Sequence, residues 1–219
     1  MNFDLHQLMK DLEKLYDDLL RFFGPQDWWP ADSDFEMMIG AILTQNVSWG
    51  NVCIGIEALK DKNLIDPEKI LGTENQVLHE LIRPTGFFRQ KTHRLKILSK
   101  AVIDAGGVDG FLRKESLRER LLEINGIGPE TADSIVLYGG NEPHFVVDKY
   151  TMRILKRRYD IEGDYNCIQQ LFHDSLKRDV KLYQEYHALL VRLAKEYCKK
   201  RPLCEGCPVS MGCGRFSVR

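Results

Sequence analysis

The stretch LLEINGIGPETADSIVLY, residues 121–138, predicts two helices joined by a tight turn. Two glycines flank one apolar residue in the turn, Gly126-Ile127-Gly128, and glycine permits positive φ angles and a bare backbone. Pro129 follows and suits the first turn of the second helix. We interpret this stretch as a helix–hairpin–helix in which Ile127 inserts into the core.

The turn offers a binding function. Backbone amides that point outward from a helix N-terminus can hold a phosphate without reading the base sequence. Gly126, Ile127 and Gly128 are therefore candidate DNA contacts. The alternative is an ordinary pair of helices in which the glycines only end the first one. The turn residues by themselves leave both interpretations open.

The rest of the chain also has helical patterns. Apolar residues recur at helical spacing from Leu5 and Leu8 onward. Phe145-Val146-Val147 is β-rich but too short to build a sheet, so we predict an all-α fold with short turns. Asp34 is the predicted N-cap of the second helix. The predicted helices cover about 4–23, 34–43, 49–60, 75–82, 89–105, 115–124, 130–138, 148–158, 165–176 and 179–198.

Composition indicates a globular protein, since 219 residues with 43% hydrophobic content can bury a core in one unit or two modest lobes. The formal charge of -1 hides an asymmetry. Residues 1–36 carry nine acidic and three basic side chains, whereas residues 83–100 carry six Lys or Arg and no acid. A net charge near zero therefore does not exclude nucleic acid as a partner.

The basic segment begins with a turn signal, Pro84-Thr85-Gly86, and continues into a helix. Its charges indicate either a solvated helix face or a contact with DNA. Phe87 and Phe88 follow the turn and are expected to pack inside the protein, the alternative being that one of them wedges between bases.

Four cysteines near the C-terminus indicate a closed loop. They are Cys198, Cys204, Cys207 and Cys213, separated by five, two and five residues. Disulfides, a zinc ion or an iron–sulfur cluster could close such a loop. Structural zinc usually takes two close pairs of ligands, and here only the middle pair is close. The pattern therefore favours a [4Fe–4S] cluster held by four thiolates, with zinc as the alternative.

The compartment predicted from the sequence agrees with a metal site. The N-terminus lacks the basic start and apolar core of a secretory signal, and no apolar run approaches a membrane span. We expect an intracellular, cytoplasmic protein, in which thiolates bind metal more often than they pair. Cys53 and Cys167 lie in apolar, helical contexts and are expected to be small buried residues. The six histidines show no metal-ligand spacing, and none is a candidate catalyst.

Asp148 is the candidate catalytic residue. It follows the apolar segment 145–147 and opens the helix DKYTMRILKRR, where an aspartate is a good N-cap. Helix-terminal amides and the helix dipole keep such a carboxylate ionised. An ionised carboxylate beside a sugar stabilises an oxocarbenium-like transition state and can orient or deprotonate a water. Capping alone is the structural alternative.

Taken together, these motifs resemble the endonuclease III branch of the helix–hairpin–helix DNA glycosylases. The resemblance runs through LTQN at 43–46, the hairpin, FVVDKYTMRIL at 145–155 and the four cysteines. It implies a six-helix barrel domain at 25–139, which contains the hairpin at about 115–138. It also implies a second helical domain, formed by 1–24 and 140–219, whose loop at 198–213 holds the [4Fe–4S] cluster.

The resemblance implies roles for individual residues. Asp148 performs the chemistry on double-stranded DNA that contains a damaged or mismatched base, and Gln45 fills the vacancy left by the flipped nucleotide. The protein is expected to be a monomer, associated with the nucleoid if its source is bacterial or archaeal, and a monovalent cation at the hairpin is compatible with the pattern. Further phosphate contacts are expected from Lys149, Arg153, Arg157, Lys199, Lys200 and Arg201.

One departure from the family pattern changes the expected chemistry. Members that cleave the DNA strand carry a lysine where this chain has Glu130, and that lysine attacks C1′ to form a Schiff base. A carboxylate cannot form an imine, so a monofunctional glycosylase is implied. Lys149 and Lys91 are the lysines that could substitute. The first cysteine interval is also one residue shorter than the commonest family spacing, although ligand number and order are intact.

The expected substrate is an alkylated purine such as 3-methyladenine. Trp29 before Pro30, and Trp49 four residues after Gln45, are similar to the paired aromatics that stack on the flipped base in 3-methyladenine glycosylases of the endonuclease III type. An alkylated purine is cationic, and electron-rich indoles attract it. The alternatives are a uracil or thymine mismatch glycosylase, a bifunctional glycosylase and lyase, or a DNA-binding iron–sulfur protein without catalysis.

Overall fold

The computed structural model describes residues 5–214, which are helical and contain no β-strand. The predicted all-α class is confirmed. The chain divides into two compact units, one formed by residues 29–141 and the other by the residues before and after that range. Besides a 3₁₀ turn at Arg83–Thr85, the helices are α1 (Leu5–Phe23), α2 (Asp34–Leu43), α3 (Trp49–Asp61), α4 (Pro67–Gly72), α5 (Asn75–Leu81), α6 (Phe88–Asp104), α7 (Val108–Leu112), α8 (Leu117–Glu123), α9 (Pro129–Tyr138), α10 (Lys149–Tyr159), α11 (Tyr165–Ser175) and α12 (Val180–Glu196).

Two short helices, α4 and α7, are absent from the predicted set. They contain six and five residues, which is too few for an apolar repeat to show. The start of α4 is fixed by Asp66, whose carboxylate accepts a hydrogen bond from the amide of Lys69 at 2.9 Å. Between residues 5 and 214 no helix is both long enough and apolar enough to cross a membrane.

The start of α2 corrects one prediction. Ser33, rather than Asp34, is the N-cap, because its Oγ accepts a hydrogen bond from the Glu36 amide at 3.2 Å. The Glu36 carboxylate in turn accepts one from the Asp32 amide at 3.2 Å. This arrangement is a variant of the capping box. Serine and aspartate are equally good caps, so neighbouring candidates are not separated by residue type.

Helix α2 lies at the centre of the unit formed by residues 29–141. Every residue from Phe35 to Leu43 is buried, and α3, α6 and α9 pack around the helix. A helix that is apolar on all sides is one that other elements surround. The LTQN segment, residues 43–46, therefore leaves the core at a fixed position.

A buried lysine holds the end of α2. Lys91 is fully buried, and its Nζ donates hydrogen bonds to the carbonyl of Leu43 at 2.8 Å and to that of Thr85 at 2.6 Å. Burial, assisted by the charge of Arg94, lowers the pKa of Lys91 to about 8. Lys91 thus joins α2, the 3₁₀ turn and α6. Its burial and its two carbonyl partners rule out the suggestion that it replaces the lyase lysine.

In the other unit, the apolar segment 145–147 is extended and buried without forming a sheet. Side chains of α11 satisfy its backbone instead. Gln169 donates to the carbonyl of Phe145 at 2.8 Å, and the amide of Phe145 donates to Nε2 of His173 at 3.0 Å. The Phe145 ring stacks on Phe172 with centroids 3.8 Å apart. These contacts fix the backbone that leads into Asp148.

We expect that replacing Lys91 by methionine (K91M) lowers the free energy of unfolding by about 1–3 kcal/mol for each buried carbonyl that loses its donor. The loss should grow with pH. Lys91 has a pKa of about 8 in the folded protein and an ordinary value of 10.5 when unfolded, so between these values the unfolded chain holds more protons. The parent therefore gains stability as the pH rises through this window, and K91M does not.

Urea unfolding at about pH 7.5 and about pH 9.5 measures both effects. Lys100→Met is the matched control, because Lys100 lies on the same helix but pairs with Asp104 on the exposed surface. Equal stability of K91M and the parent at both pH values would contradict the role given to the buried amine.

Candidate active site and nucleic-acid interface

The hairpin between α8 and α9 has the tight geometry expected from its glycines. Gly126 has a φ of +89°, which favours glycine, and Ile127 is only 4% exposed. The predicted insertion of Ile127 into the core is thereby confirmed. Gly128 differs from expectation, because its φ of −92° is open to any residue. It is the N-cap of α9, and a Cβ built there would meet no atom within 4 Å. The backbone at Gly128 is therefore bare on its outer side.

An ion pair fixes α8 against α9. Arg118 donates to both carboxylate oxygens of Asp133, at 2.6 and 3.2 Å, and Asp133 is fully buried. A bidentate pair of this kind restricts both distance and orientation. The hairpin is therefore held as a rigid unit.

Gln45 is bonded to the hairpin. Its Nε2 donates to the carbonyl of Gly126 at 3.1 Å and to Oγ1 of Thr131 at 3.0 Å. Its Oε1 accepts a hydrogen bond from Arg94. The predicted wedge residue and the predicted phosphate-binding turn are thus neighbours, although the sequence separates them widely.

The basic segment presents charge and one exposed ring. Phe87 is 63% exposed, and its φ of +45° places it in the left-handed region at the start of α6. The expectation that Phe87 packs inside is wrong, because this backbone conformation turns the ring away from the core. Phe88 is partly buried and packs against the core cluster. Arg89, His93 and Arg94 line an open hollow of about 410 Å³ with Asn125 of the hairpin.

Trp29 and Trp49 lie together. Their ring centroids are 5.4 Å apart with the planes at 86°, and Tyr138 contacts Trp29 at the same centroid distance. Both indoles are partly buried against the core cluster. Gly40 permits the close approach of Trp29, since a Cβ there would lie 3.2 Å from Nε1 of the indole. The residues predicted to hold the base therefore form one aromatic group.

Asp148 is the N-cap of α10, as predicted. Its Oδ1 accepts two hydrogen bonds from Thr151, one from the amide at 2.7 Å and one from Oγ1 at 2.9 Å. Its Oδ2 lies 3.8 Å from Nε2 of His187 on α12. Burial by itself raises the pKa of Asp148, but His187 and Thr151 outweigh it, so the pKa is held below its usual value. The carboxylate is ionised in a site that water barely reaches.

His187 is the neighbour that the sequence did not reveal. It lies far along the chain from Asp148, and the histidines were set aside because they lack metal-ligand spacing. A helical pattern places His187 on the buried face of α12, but nothing local indicates which residue it will face.

Glu130 and Lys149 both lie in the first turn of a helix. Glu130 is exposed in the first turn of α9, where an acid complements the helix dipole. Lys149 is exposed in the first turn of α10, directly after Asp148. Of the two lysines named as substitutes, Lys149 is therefore exposed and Lys91 is buried.

The four cysteines meet around one cavity. Cys198, Cys204, Cys207 and Cys213 are all half-buried and line a space of about 100 Å³. Burial raises the pKa of the Cys207 thiol, and the other three thiols raise it further. Across residues 5–214, no three His, Cys, Asp or Glu side chains are arranged to hold a metal ion. Bringing all four thiols to one cavity is the feature that thiolate ligation of a larger group requires.

Arginines of α10 hold the cysteine segment. Arg157 donates to the carbonyls of Lys199 at 2.6 Å and Lys200 at 2.9 Å, and to Sγ of Cys198 at 3.3 Å. Arg153 donates to the carbonyl of Cys198 at 2.8 Å.

Arg157 is buried, so its predicted contact with phosphate is wrong. The side chains of Lys199, Lys200 and Arg201 are exposed.

The two remaining cysteines differ from each other. Cys53 is half-buried on α3, whereas Cys167 is exposed. The expectation of burial is wrong for Cys167, because it lies in the first turn of α11, where its amide donates to the N-cap Asp164 at 2.8 Å.

Comparison with known proteins identifies relatives of this chain. A Methanocaldococcus jannaschii protein, named provisionally as a DNA repair glycosylase, is 43% identical over 207 residues, covering 91% of this chain and 94% of its own. The structure of the H. pylori 3-methyladenine DNA glycosylase bound to 1,N6-ethenoadenine is 32% identical, with a TM-score of 0.76, and covers 89% of this chain and 98% of its own.

The fold is also that of endonuclease III. A non-covalent endonuclease III–DNA complex matches with a TM-score of 0.81 at 20% identity and covers 94% of each chain. A profile described as HhH-GPD superfamily base excision DNA repair protein matches residues 39–178, which is more than half of the chain. The chain therefore belongs to the HhH-GPD superfamily of base excision DNA repair proteins, as a DNA glycosylase of the endonuclease III type.

Proposed function

We propose that this protein is a monofunctional DNA glycosylase that flips an alkylated purine out of double-stranded DNA and hydrolyses its N-glycosidic bond with Asp148. The observation that carries the proposal is the environment of this carboxylate. It is nearly buried, yet Thr151 and His187 keep it ionised. A fixed negative charge in a poorly solvated site stabilises positive charge that develops on a sugar.

The two oxygens of Asp148 have different roles in this proposal. Oδ1 is held by Thr151 and sets the orientation of the carboxylate. Oδ2 lies beside His187 and, through its remaining lone pair, faces the reacting sugar or orients the water that attacks C1′. An alkylated purine leaves readily because it is cationic, so the enzyme needs little acid catalysis of its departure.

Glu130 supports hydrolysis without strand cleavage. A Schiff base requires an amine at C1′, and the first turn of α9 carries a carboxylate. Lys91 is buried and bonded to two carbonyls, which leaves Lys149 as the lysine to test.

The aromatic group of Trp29 and Trp49 supports a purine substrate. The H. pylori relative is named for 3-methyladenine and was solved with 1,N6-ethenoadenine, which is also a modified purine. In this chain the two indoles contact each other edge to face, so holding a base between them requires the rings to separate. Stacking of a cationic base on an indole contributes about 0.5–2 kcal/mol.

The proposed DNA contacts fall into two groups. Gln45 fills the vacancy left by the flipped base, and the exposed ring of Phe87 wedges between neighbouring bases. The amides of Gly126 and Gly128 take a phosphate, whereas the amide of Ile127 already donates to the carbonyl of Ile124 at 3.0 Å. A monovalent cation would bind carbonyl oxygens of the same turn. Further phosphates are proposed for Lys149, Lys199, Lys200 and Arg201.

We also propose that the four C-terminal cysteines hold a [4Fe–4S] cluster. Their shared cavity and the arginine contacts to the segment support it. Such a cluster supplies no step of base hydrolysis, and its contribution is to fix the segment that carries Lys199, Lys200 and Arg201. Cationic guanidinium groups beside thiolates offset their negative charge.

Asp148→Asn is expected to reduce the single-turnover rate of base release by at least roughly 100-fold, because an amide cannot supply the negative charge. Its affinity for lesion-containing DNA should be retained. Asp164→Asn is the matched control. Asp164 caps α11 with the same geometry, but it has no role in the proposed reaction. The measurement uses duplexes that contain 1,N6-ethenoadenine, 3-methyladenine, 7-methylguanine, uracil or mismatched thymine.

The bases released from these duplexes by the parent and by Asp148→Asn distinguish the candidate functions. Release of purines by the parent and loss in Asp148→Asn supports the proposal. Release of uracil or thymine alone would show that the substrate is a pyrimidine and not an alkylated purine. Lesion binding without any release would make the protein a DNA-binding module, and undiminished release by Asp148→Asn would contradict the mechanism.

Base release should leave an intact strand with an abasic site. Borohydride reduction during the reaction is expected to trap no covalent protein–DNA adduct, because no amine occupies the position of Glu130. Strand cleavage should appear only after alkali treatment. A trapped adduct would overturn the monofunctional assignment, and its absence in Lys149→Met would identify the amine.

Anaerobically purified protein is expected to contain iron and sulfide, and Cys207→Ser to lose both together with thermal stability and DNA affinity. Cys53→Ser and Cys167→Ser are matched controls that should keep the cluster, because neither lines the shared cavity. Metal analysis that finds one zinc per chain in the parent, without iron, would contradict the cluster and support the zinc alternative.

A further inference from the structure

His187 belongs to none of the motifs in the sequence, yet it lies beside Asp148. His187 lies on α12 and is 6% exposed. Its Nε2 is 3.8 Å from Oδ2 of Asp148. This distance is within the range of an ion pair but too long for a direct hydrogen bond, which a small rotation of either side chain would form.

The two carboxylate oxygens of Asp148 contact different residues. Thr151 donates twice to Oδ1, which leaves Oδ2 as the oxygen that faces His187. Hydrogen bonds to one oxygen fix a carboxylate at one end only. A donor beside the other oxygen restricts rotation about the side chain and supplies positive charge when the imidazole is protonated.

We infer that His187 is a positioning residue that holds Asp148 oriented and ionised for attack on the glycosidic bond. The inference rests on the proposed function, because it gives His187 a task only if Asp148 performs the chemistry. His187 acts through the carboxylate and does not touch the DNA. Its role is thus that of the group that orients a catalytic side chain.

The other titratable groups around Asp148 have separate roles. From α11, Tyr165 accepts a hydrogen bond from the Val147 amide at 3.5 Å, and His173 accepts one from the Phe145 amide at 3.0 Å. From α10, Lys149 is exposed. His187 of α12 is therefore the titratable side chain placed against the carboxylate itself.

The sign of the pH effect follows from this placement. Burial of Asp148 favours the protonated acid, and His187 opposes it, so the pKa of Asp148 lies below its usual value. Without His187, this pKa rises. Because base release requires the ionised form, the acidic limb of the pH–rate profile should move to higher pH.

The test compares His187→Leu with His187→Gln. The leucine variant removes donor and charge and should release base roughly tenfold more slowly near the acidic limb, with unchanged DNA affinity. The glutamine variant keeps a donor but cannot titrate, so it should recover part of the rate. His6→Gln is the control, because His6 is exposed on α1 of the same unit. A variant that only disturbed packing would change stability without moving the pH profile.

A second measurement does not depend on activity. The Nε2 chemical shift of the His187 imidazole should differ between Asp148→Asn and the parent, because an amide replaces the carboxylate that lies 3.8 Å from this nitrogen. Identical chemical shifts in the two proteins would overturn the inference, as would a pH–rate profile of His187→Leu that matches the parent while Asp148→Asn is inactive. If the parent releases no base, the proposed function fails, and the NMR comparison still decides whether the two residues are coupled.

Discussion

Helix ends impose the constraint on which this structure depends. Each end of a helix leaves backbone amides or carbonyls without an intrahelical partner, and this chain contains many short helices. Long polar side chains bind carbonyls at or just beyond these ends: Lys91 binds the last carbonyl of α2, Gln45 binds the carbonyl of Gly126 between α8 and α9, and Arg157 binds carbonyls beyond α12. Because a buried carbonyl without a donor costs about 1–3 kcal/mol, these contacts determine where the segments between helices lie.

The same constraint explains why the proposed catalytic carboxylate, that of Asp148, resembles a structural one. Asp66, Asp164 and Asp179 all cap helices through the amide three residues further on, as Asp148 does. Capping alone therefore cannot distinguish Asp148. Asp148 differs from these caps because it lies among buried side chains. His187 faces its Oδ2, the oxygen that Thr151 does not bind. In the proposed mechanism, Asp148 keeps its structural task as a helix cap and gains a chemical one through this second contact.

Local patterns in the sequence predicted most helices, the hairpin and the cap at Asp148, because these depend on residues within a few positions of each other. They did not predict the partner of Asp148, the burial of Arg157 or the outward ring of Phe87. The first two depend on contacts between distant segments, and the third on a left-handed residue that is not glycine. The sequence pattern of a basic residue on a helix is the same whether its side chain binds a phosphate or a buried carbonyl. The partner of Arg157 could therefore be identified only from the structure.

Helix α10 connects the two chemical features of its unit. Asp148 caps its N-terminus, while Arg157 and Arg158 in its last turn hold the cysteine segment. Both arrangements follow the helix dipole, which favours an acid at the start and bases at the end. A displacement of the cysteine segment would withdraw carbonyl partners from these arginines and act on the whole helix, because backbone hydrogen bonds make α10 a rigid element. We therefore expect the position of Asp148 to depend on the order of the cysteine segment, even though the proposed cluster takes no part in the reaction.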